Sequence, residues 1–555
     1  MGNHVLGLIL LISGVSLAQG ATVTTQNGPI RGEKHSNFFA FKGIQYGESP
    51  VGMKRFEPVE IFSEKWTEVR NATQFANPCL QWREGSSDQL NGDEDCLFLN
   101  VYTSHIGEEE NLPVFVHFHG GGFTYGSGTF FSPERMFHRH KLVFVTVNYR
   151  LGPLGFLSTE DEVVPGNMGL KDQVVALLWV KQNIRFFGGN PNSVTLSGFS
   201  AGGASVHLHY LSPLSSGLFH RGISHSGCAL NPWVLAENPL QKARVVANHL
   251  GCATEDNRRM IECLKGKPAD EIVSTVPLFQ PWLSQPFTPF GVVVEKNSEN
   301  PFLSAHPELI YKSQAFAHLP WIVSYTDADG IYPAAKLLLD STSLTELRDR
   351  WLELAPFLLD FNETVSPETS HDVSNQILRH YLSDKQISRD SFDDIVKMLT
   401  DRMFAADIAR SVRLHSQHSP TFLYFLQFPA VFGVGHIILG QDTTFNGAAH
   451  GDDVFMLLKN RNDPRVNQTS EEKEICRLLT EIYMSFASDS QPKLDDLAFE
   501  DIKSRELFSF LNIKTPSDFS MDKSLNVGEE EFWRSLPLRE YKTSAQQLPT
   551  QKGEL

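Results

Sequence analysis

A serine stands between two glycines in Gly198-Phe199-Ser200-Ala201-Gly202, where the apolar run Val194-Thr195-Leu196 ends. The next residues, ASVHLHYL, have the character of a helix, so the stretch reads as strand, sharp turn, helix, with a hydroxyl at the tip of the turn. A serine attacks an acyl carbon only if a base takes its proton and donors hold the oxyanion that forms. Donors are on offer in His119-Gly120-Gly121-Gly122-Phe123, where bare glycines let backbone N–H groups come close to a reacting carbonyl. Gly121, Gly122 and Ala201 are the expected oxyanion hole. On such a fold the acid and the histidine follow the serine in that order. Asp327 and Asp329 come after the run WIVSYT (321–326), His436 lies in GVGHII and His450 in AHGDD; position alone does not choose among them.

Elements must hold these residues in place. The runs 114–118, 142–149, 193–197, 321–326 and 422–428 are short, apolar and rich in β-branched or aromatic residues, as buried strands are. Residues 172–184 are apolar nearly all round, which fits a helix pressed on a sheet. In residues 474–486, Ile475, Leu478, Leu479, Ile482 and Phe486 form one stripe, and Cys476 reads as a buried thiol. Together they predict an α/β protein of the α/β-hydrolase kind: one mostly parallel twisted sheet flanked by helices. No repeat or low-complexity linker divides residues 21–555, so a single large domain is expected.

The chain resembles the type-B carboxylesterase family, which includes cholinesterases and secreted insect-type esterases. FGGNPNSVTLSGFSAG (187–202) fits its serine signature, and EDCLFLNVYTS (94–104) fits the second apart from Ser104; NYRLGPLGFLS, GNMGLKDQ and HGDD extend the likeness. The resemblance implies a catalytic triad of Ser200, Asp329 and His450. Asp329 stands where the family usually has Glu, and Asp327 is the fallback. It also implies that Ser226 supports the buried acid, that Arg55 pairs with Glu94 and Arg150 with Asp172, and that Trp233, Phe287 and Phe290 are acyl-pocket positions. The reaction expected is hydrolysis of a carboxylic ester through an acyl-Ser200 intermediate, with no metal or cofactor. Phe199 occupies the place of the glutamate that precedes the serine in choline esterases, and Trp82 does not align with their cation-binding tryptophan. A broad aliphatic or aromatic carboxylesterase is therefore expected first. The alternatives are a specialised hormone, pheromone or odorant esterase, a slow-deacylating scavenger and, last, a non-catalytic adhesion protein.

Bulk properties agree. The chain has 555 residues, 41% of them hydrophobic, and a net charge of -17. Such a charge repels nucleic acid, so the partner expected is a small-molecule ester. Val5 to Leu17 form an apolar run followed by Ala18, Gly20 and Ala21, so residues 1–20 read as a secretory signal peptide, although no Lys or Arg precedes the run. Asn71, Asn362 and Asn467 open glycosylation triplets, and pairing Cys79 with Cys96 and Cys252 with Cys263 closes short loops, as the resemblance also implies. Cys228 and Cys476 are left over. The chain is expected to be secreted and without a transmembrane anchor, with retention in the ER lumen through the final KGEL as the alternative.

Overall fold

The computed structural model describes residues 20–83, 89–339, 342–440, 445–502 and 507–546. The expected signal peptide, except Gly20, and the final KGEL lie outside them. Eleven strands join in one sheet: β1 (Glu33–Lys34), β2 (Phe39–Gln45), β3 (Phe98–Thr103), β4 (Leu112–Phe118), β5 (Val143–Val147), β6 (Gly189–Phe199), β7 (Arg221–His225), β8 (Trp321–Thr326), β9 (Thr421–Leu426), β10 (Phe508–Thr515) and β11 (Asp518–Ser524). Their order is β11-β10-β9-β8-β7-β6-β4-β5-β3-β2-β1. The seven strands from β5 through β10 in that order pair in parallel, and antiparallel strands flank them at both sides.

The parallel strands are apolar because both of their faces are covered. Along β4, Val114 and Val116 enter one core and Phe115, between them, enters the other. Helices α1 (Met168–Asn183) and α2 (Ala201–Leu211) cover the first face; α5 (Asp452–Leu457) and α6 (Ser470–Asp489) cover the second, where all five residues of the predicted stripe are buried. Between β8 and β9, α3 (Phe392–Thr400) passes through a π-helical turn (Asp401–Ala405) into α4 (Ala406–His415).

Both expected ion pairs form. Arg55 reaches Glu94 through two bonds of 2.6 Å, and Arg150 grips Asp172 at 2.8 and 2.6 Å. The disulfides Cys79–Cys96 and Cys252–Cys263 are present, while Cys228 and Cys476 are buried thiols. No described helix is long and apolar enough to cross a membrane. Asn71 and Asn467 are exposed, and Asn362 is half-buried.

The core carries histidines held neutral. Burial holds His117 and His209 down to about 3, and His119 and His415 to about 4. These are depressed bases, so the stability they contribute is present above their ordinary value and is lost as pH falls through the folded value. Buried acids act the other way: burial raises Asp327, Asp401 and Asp407 to about 6, so their contribution is present below pH 4 and is lost as pH rises through 6. With His207 and His306 also depressed by burial, six histidines stand against five raised acids, Asp360 and Asp452 included, so the loss of the histidine contribution prevails. Acidifying from pH 6.5 to 4 is expected to lower Tm by more than about 5 °C. A level or rising Tm in calorimetry would show that the acids dominate.

Candidate active site

Strand β6 delivers Ser200 to the turn. Its φ of 59° and ψ of -122° lie outside the regions a side chain favours, a cost of about 1–3 kcal/mol that the surroundings must offset. They do so by hydrogen bonds: Ser200 N donates to His225 O at 2.8 Å, and Ala204 N donates to Ser200 O at 2.9 Å. The flanking glycines are required sterically. A β-carbon on Gly198 would lie 2.1 Å from Gly202 O, and one on Gly202 would lie 2.0 Å from Phe118 O. Ala201 is the first residue of α2, at the end of a helix where N–H groups have no intrahelical acceptor.

The glycine loop leaves β4 one strand away. Gly121 has φ 111° and Gly122 φ 57°, and a β-carbon on Gly121 would fall 1.9 Å from Tyr125 O. Thr124 N and Tyr125 N both donate to Gly121 O at 3.0 Å. Gln81 then clamps the loop at both ends of its amide, accepting from Gly126 N at 2.8 Å and donating to Gly126 O at 2.9 Å. Gln81 lies in the disulfide-closed segment between Cys79 and Cys96, so that cross-link anchors the clamp.

His450 follows β9, and its Nδ1 lies 2.8 Å from Asp329 Oδ1. The other oxygen of Asp329 accepts from Ser226 Oγ and from Thr326 N, each at 3.0 Å. The imidazole is enclosed by Phe404, Phe199 and Tyr332, with ring centroids 4.5, 4.8 and 5.3 Å away. Its Nε2 is buried and has no hydrogen-bond partner among the described residues. Asp327 is placed otherwise: its Oδ1 accepts from Ala448 N at 2.7 Å, bracing the loop that carries His450. His436 accepts from Gly433 N and packs on Phe445, away from either acid.

A cavity of about 810 Å³ opens over Ser200, His450, Gly120 and Gly121. Ser200 and His450 are 4% and 1% exposed, so charge that develops there is poorly shielded by water. Phe287 lines the cavity, and Trp233 packs behind it at 5.6 Å. Trp233 Nε1 donates to Met403 O at 2.8 Å, and Asn231 Nδ2 to Phe404 O at 3.0 Å, both in the π-helical turn. Phe290 packs edge-on against Phe279 and lies outside this lining. Trp82 also lines the cavity.

A second polar cluster escaped the sequence reading. Asp453, three residues after His450, accepts from Ser324 and Tyr424 and faces His225 Nδ1 at 2.7 Å; His225 Nε2 meets Tyr483, which continues to Ser197 and His117. Burial raises the Asp453 carboxyl, but His225 and the hydroxyls overcome it and hold the group at about 2. The acids of HGDD were its sequence signal. Asp453 ties the histidine loop to the strand end that supports Ser200.

A mainly parallel sheet that sets a serine on a strand-to-helix elbow and an acid-paired histidine beyond later strands is the architecture of the α/β-hydrolases. The model of the carboxylesterase family matches residues 19–533. Venom carboxylesterase-6 of Apis mellifera is 39% identical over 94% of this chain and 95% of its own length, and Esterase-5A of Drosophila pseudoobscura pseudoobscura is 36% identical over 92% and 95%. The crystal structure of juvenile hormone esterase from Manduca sexta, with OTFP covalently attached, superposes with a TM-score of 0.81 at 24% identity, over 93% of this chain and 99% of that one; it supports the fold. The chain belongs to the carboxylesterase family, and it is a carboxylic ester hydrolase acting on small-molecule esters.

Proposed function

We propose that the protein is a secreted serine carboxylesterase of broad aliphatic or aromatic range, working through an acyl-Ser200 intermediate. The observation that carries this reading is His450 held by Asp329 at Nδ1, with a buried, unpartnered Nε2 in the same cavity as Ser200. With Nδ1–H donating to the carboxylate, Nε2 carries the lone pair that takes the Ser200 proton. Ser200 Oγ then adds to the ester carbonyl, and the N–H groups of Gly121, Gly122 and Ala201 receive the oxyanion. Collapse expels the alcohol, which leaves with the proton from His450. Water, deprotonated by the same nitrogen, attacks the acyl-serine and releases the acid. Ser226 keeps the second oxygen of Asp329 occupied, so the carboxylate cannot swing away from the imidazole.

Secretion is supported by the two disulfides, by the exposed acceptors Asn71 and Asn467, and by likeness to a bee protein named for venom. The acylation step has a direct test. Mixing enzyme with a nitrophenyl acetate and quenching in acid is expected to trap one acetyl group per chain on the peptide containing Ser200. Steady turnover after the burst marks an efficient hydrolase, and near-arrest marks a scavenger. An acetyl group trapped on a residue other than Ser200 during active turnover would overturn this route.

A further inference from the structure

The cavity wall mixes aromatic and polar side chains, and among its hydroxyls two phenols are paired. Tyr125 and Tyr332 both line the cavity with Ser200 and His450, and their oxygens lie 3.0 Å apart. Each phenol has one proton, and their mutual bond uses only one of the two. Neither oxygen has another partner among the described residues, so one of the two protons has no protein acceptor there. Burial raises both phenols above their ordinary value, so both remain protonated at neutral pH.

Position says which half of a substrate they meet. The Tyr332 ring packs 5.3 Å from the His450 imidazole, and His450 is the group that returns a proton to the departing alcohol. Tyr332 also meets Phe287 edge-on at 5.5 Å, so the pair stands at the join of the expected acyl wall and the histidine side, within reach of the alcohol half. A neighbouring part of the wall is also polar: Lys336 Nζ, one turn beyond Tyr332, donates to Ser284 Oγ at 2.7 Å. The next residue, Gln285, is 4% exposed, lines the cavity and has an Oε1 without a partner among the described residues. That oxygen is an acceptor closed off from the cavity, so the donors this wall offers to an occupant's oxygen are the phenol hydroxyls.

We propose that the Tyr125–Tyr332 pair donates a hydrogen bond to an oxygen on the alcohol half of the ester, so that esters of hydroxyalkyl and alkoxyalkyl alcohols are favoured over alkyl esters of the same length. The proposal rests on the acyl-Ser200 reading. Because the two hydroxyls already satisfy one another in part, an alkyl ester strands little, and the preference is about fivefold to tenfold rather than the ~10⁴-fold of a site whose polar groups are left bare.

The test compares acetates of alkoxyalkanols, with the ether oxygen moved stepwise along the chain, against alkyl acetates of equal length. Wild-type enzyme is expected to show a kcat/KM ratio of about five to ten at one oxygen position. In the double variant Tyr125→Phe/Tyr332→Phe the ratio is expected to fall to about one. Inhibition of wild type by the free alkoxyalkanols and alkanols should show the same preference in Ki, which covers the case of a double variant that does not fold. Equal rates at every oxygen position in active wild type, or a preference that survives in the folded double variant, would overturn the proposal while the acyl-serine mechanism stood. Undiminished hydrolysis by Ser200→Ala would instead remove the mechanism on which it rests.

Discussion

Ser200→Ala is expected to lower kcat/KM toward a nitrophenyl acetate by about 10⁴-fold to 10⁶-fold, with little change in Tm. The loss is large because the serine and histidine act as a unit: without Oγ there is no acyl acceptor, and His450 Nε2 has nothing to deprotonate except water. The fold should tolerate the change. Alanine keeps the β-carbon, so it meets the same backbone strain at φ 59°, and the two backbone bonds that hold the turn involve no side chain. Kinetics beside a thermal melt decide the matter. A well-folded Ser200→Ala protein within about a hundredfold of wild type would mean that another group is the nucleophile.

Asp329→Asn is the more diagnostic change, with an expected fall in kcat of about 10³-fold to 10⁴-fold and little effect on KM. The surroundings dictate how the amide sits. Oδ2 of the native carboxylate accepts from Ser226 Oγ and Thr326 N, so the amide oxygen takes that place and the NH₂ turns toward His450 Nδ1. Nδ1 must then accept, Nε2 carries the proton, and the imidazole can no longer receive one from Ser200. Raising the pH cannot repair a wrong tautomer, so the pH–rate profile should fall as a whole rather than shift. A loss of less than about tenfold would show that the carboxylate is dispensable.

Much of this arrangement was legible in the chain, and the reasons differ by element. The five parallel runs read from sequence correspond to β4, β5, β6, β8 and β9, because strands covered on both faces leave continuous apolar stretches. Six strands were not read: β7, whose RGISH is buried and parallel on both sides but carries Arg, Gly, Ser and His in place of an apolar run, and the flanking strands β1, β2, β3, β10 and β11. The flanking strands are antiparallel to at least one neighbour, β1 is very short and β11 is largely half-exposed, so their patterns are weaker. Ser200 and the glycine loop announced themselves because steric need writes glycines into consecutive positions. The choice of Asp329 over Asp327 came from resemblance alone, since two residues in one loop differ only in which partner each meets. The hydroxyl pair of Tyr125 and Tyr332, 207 residues apart, left no local mark; nothing in either neighbourhood shows that they will touch.

The π-helical turn between α3 and α4 makes one side of the substrate chamber sensitive to chain length. It supplies the carbonyls that receive Trp233 and Asn231, and it sets Phe404 against the imidazole. The π turn accommodates one residue more than ordinary α winding would, so loss of one residue there would restore an unbroken α-helix while α3 and α4 keep their phase. Such a single-codon deletion would re-aim Met403 and Phe404, and with them the carbonyls that hold Trp233 and Asn231 and the ring on His450, whereas a point substitution alters only bulk. Among relatives of this protein, gaps or insertions across 401–405 are therefore a place to look for heritable changes in substrate range.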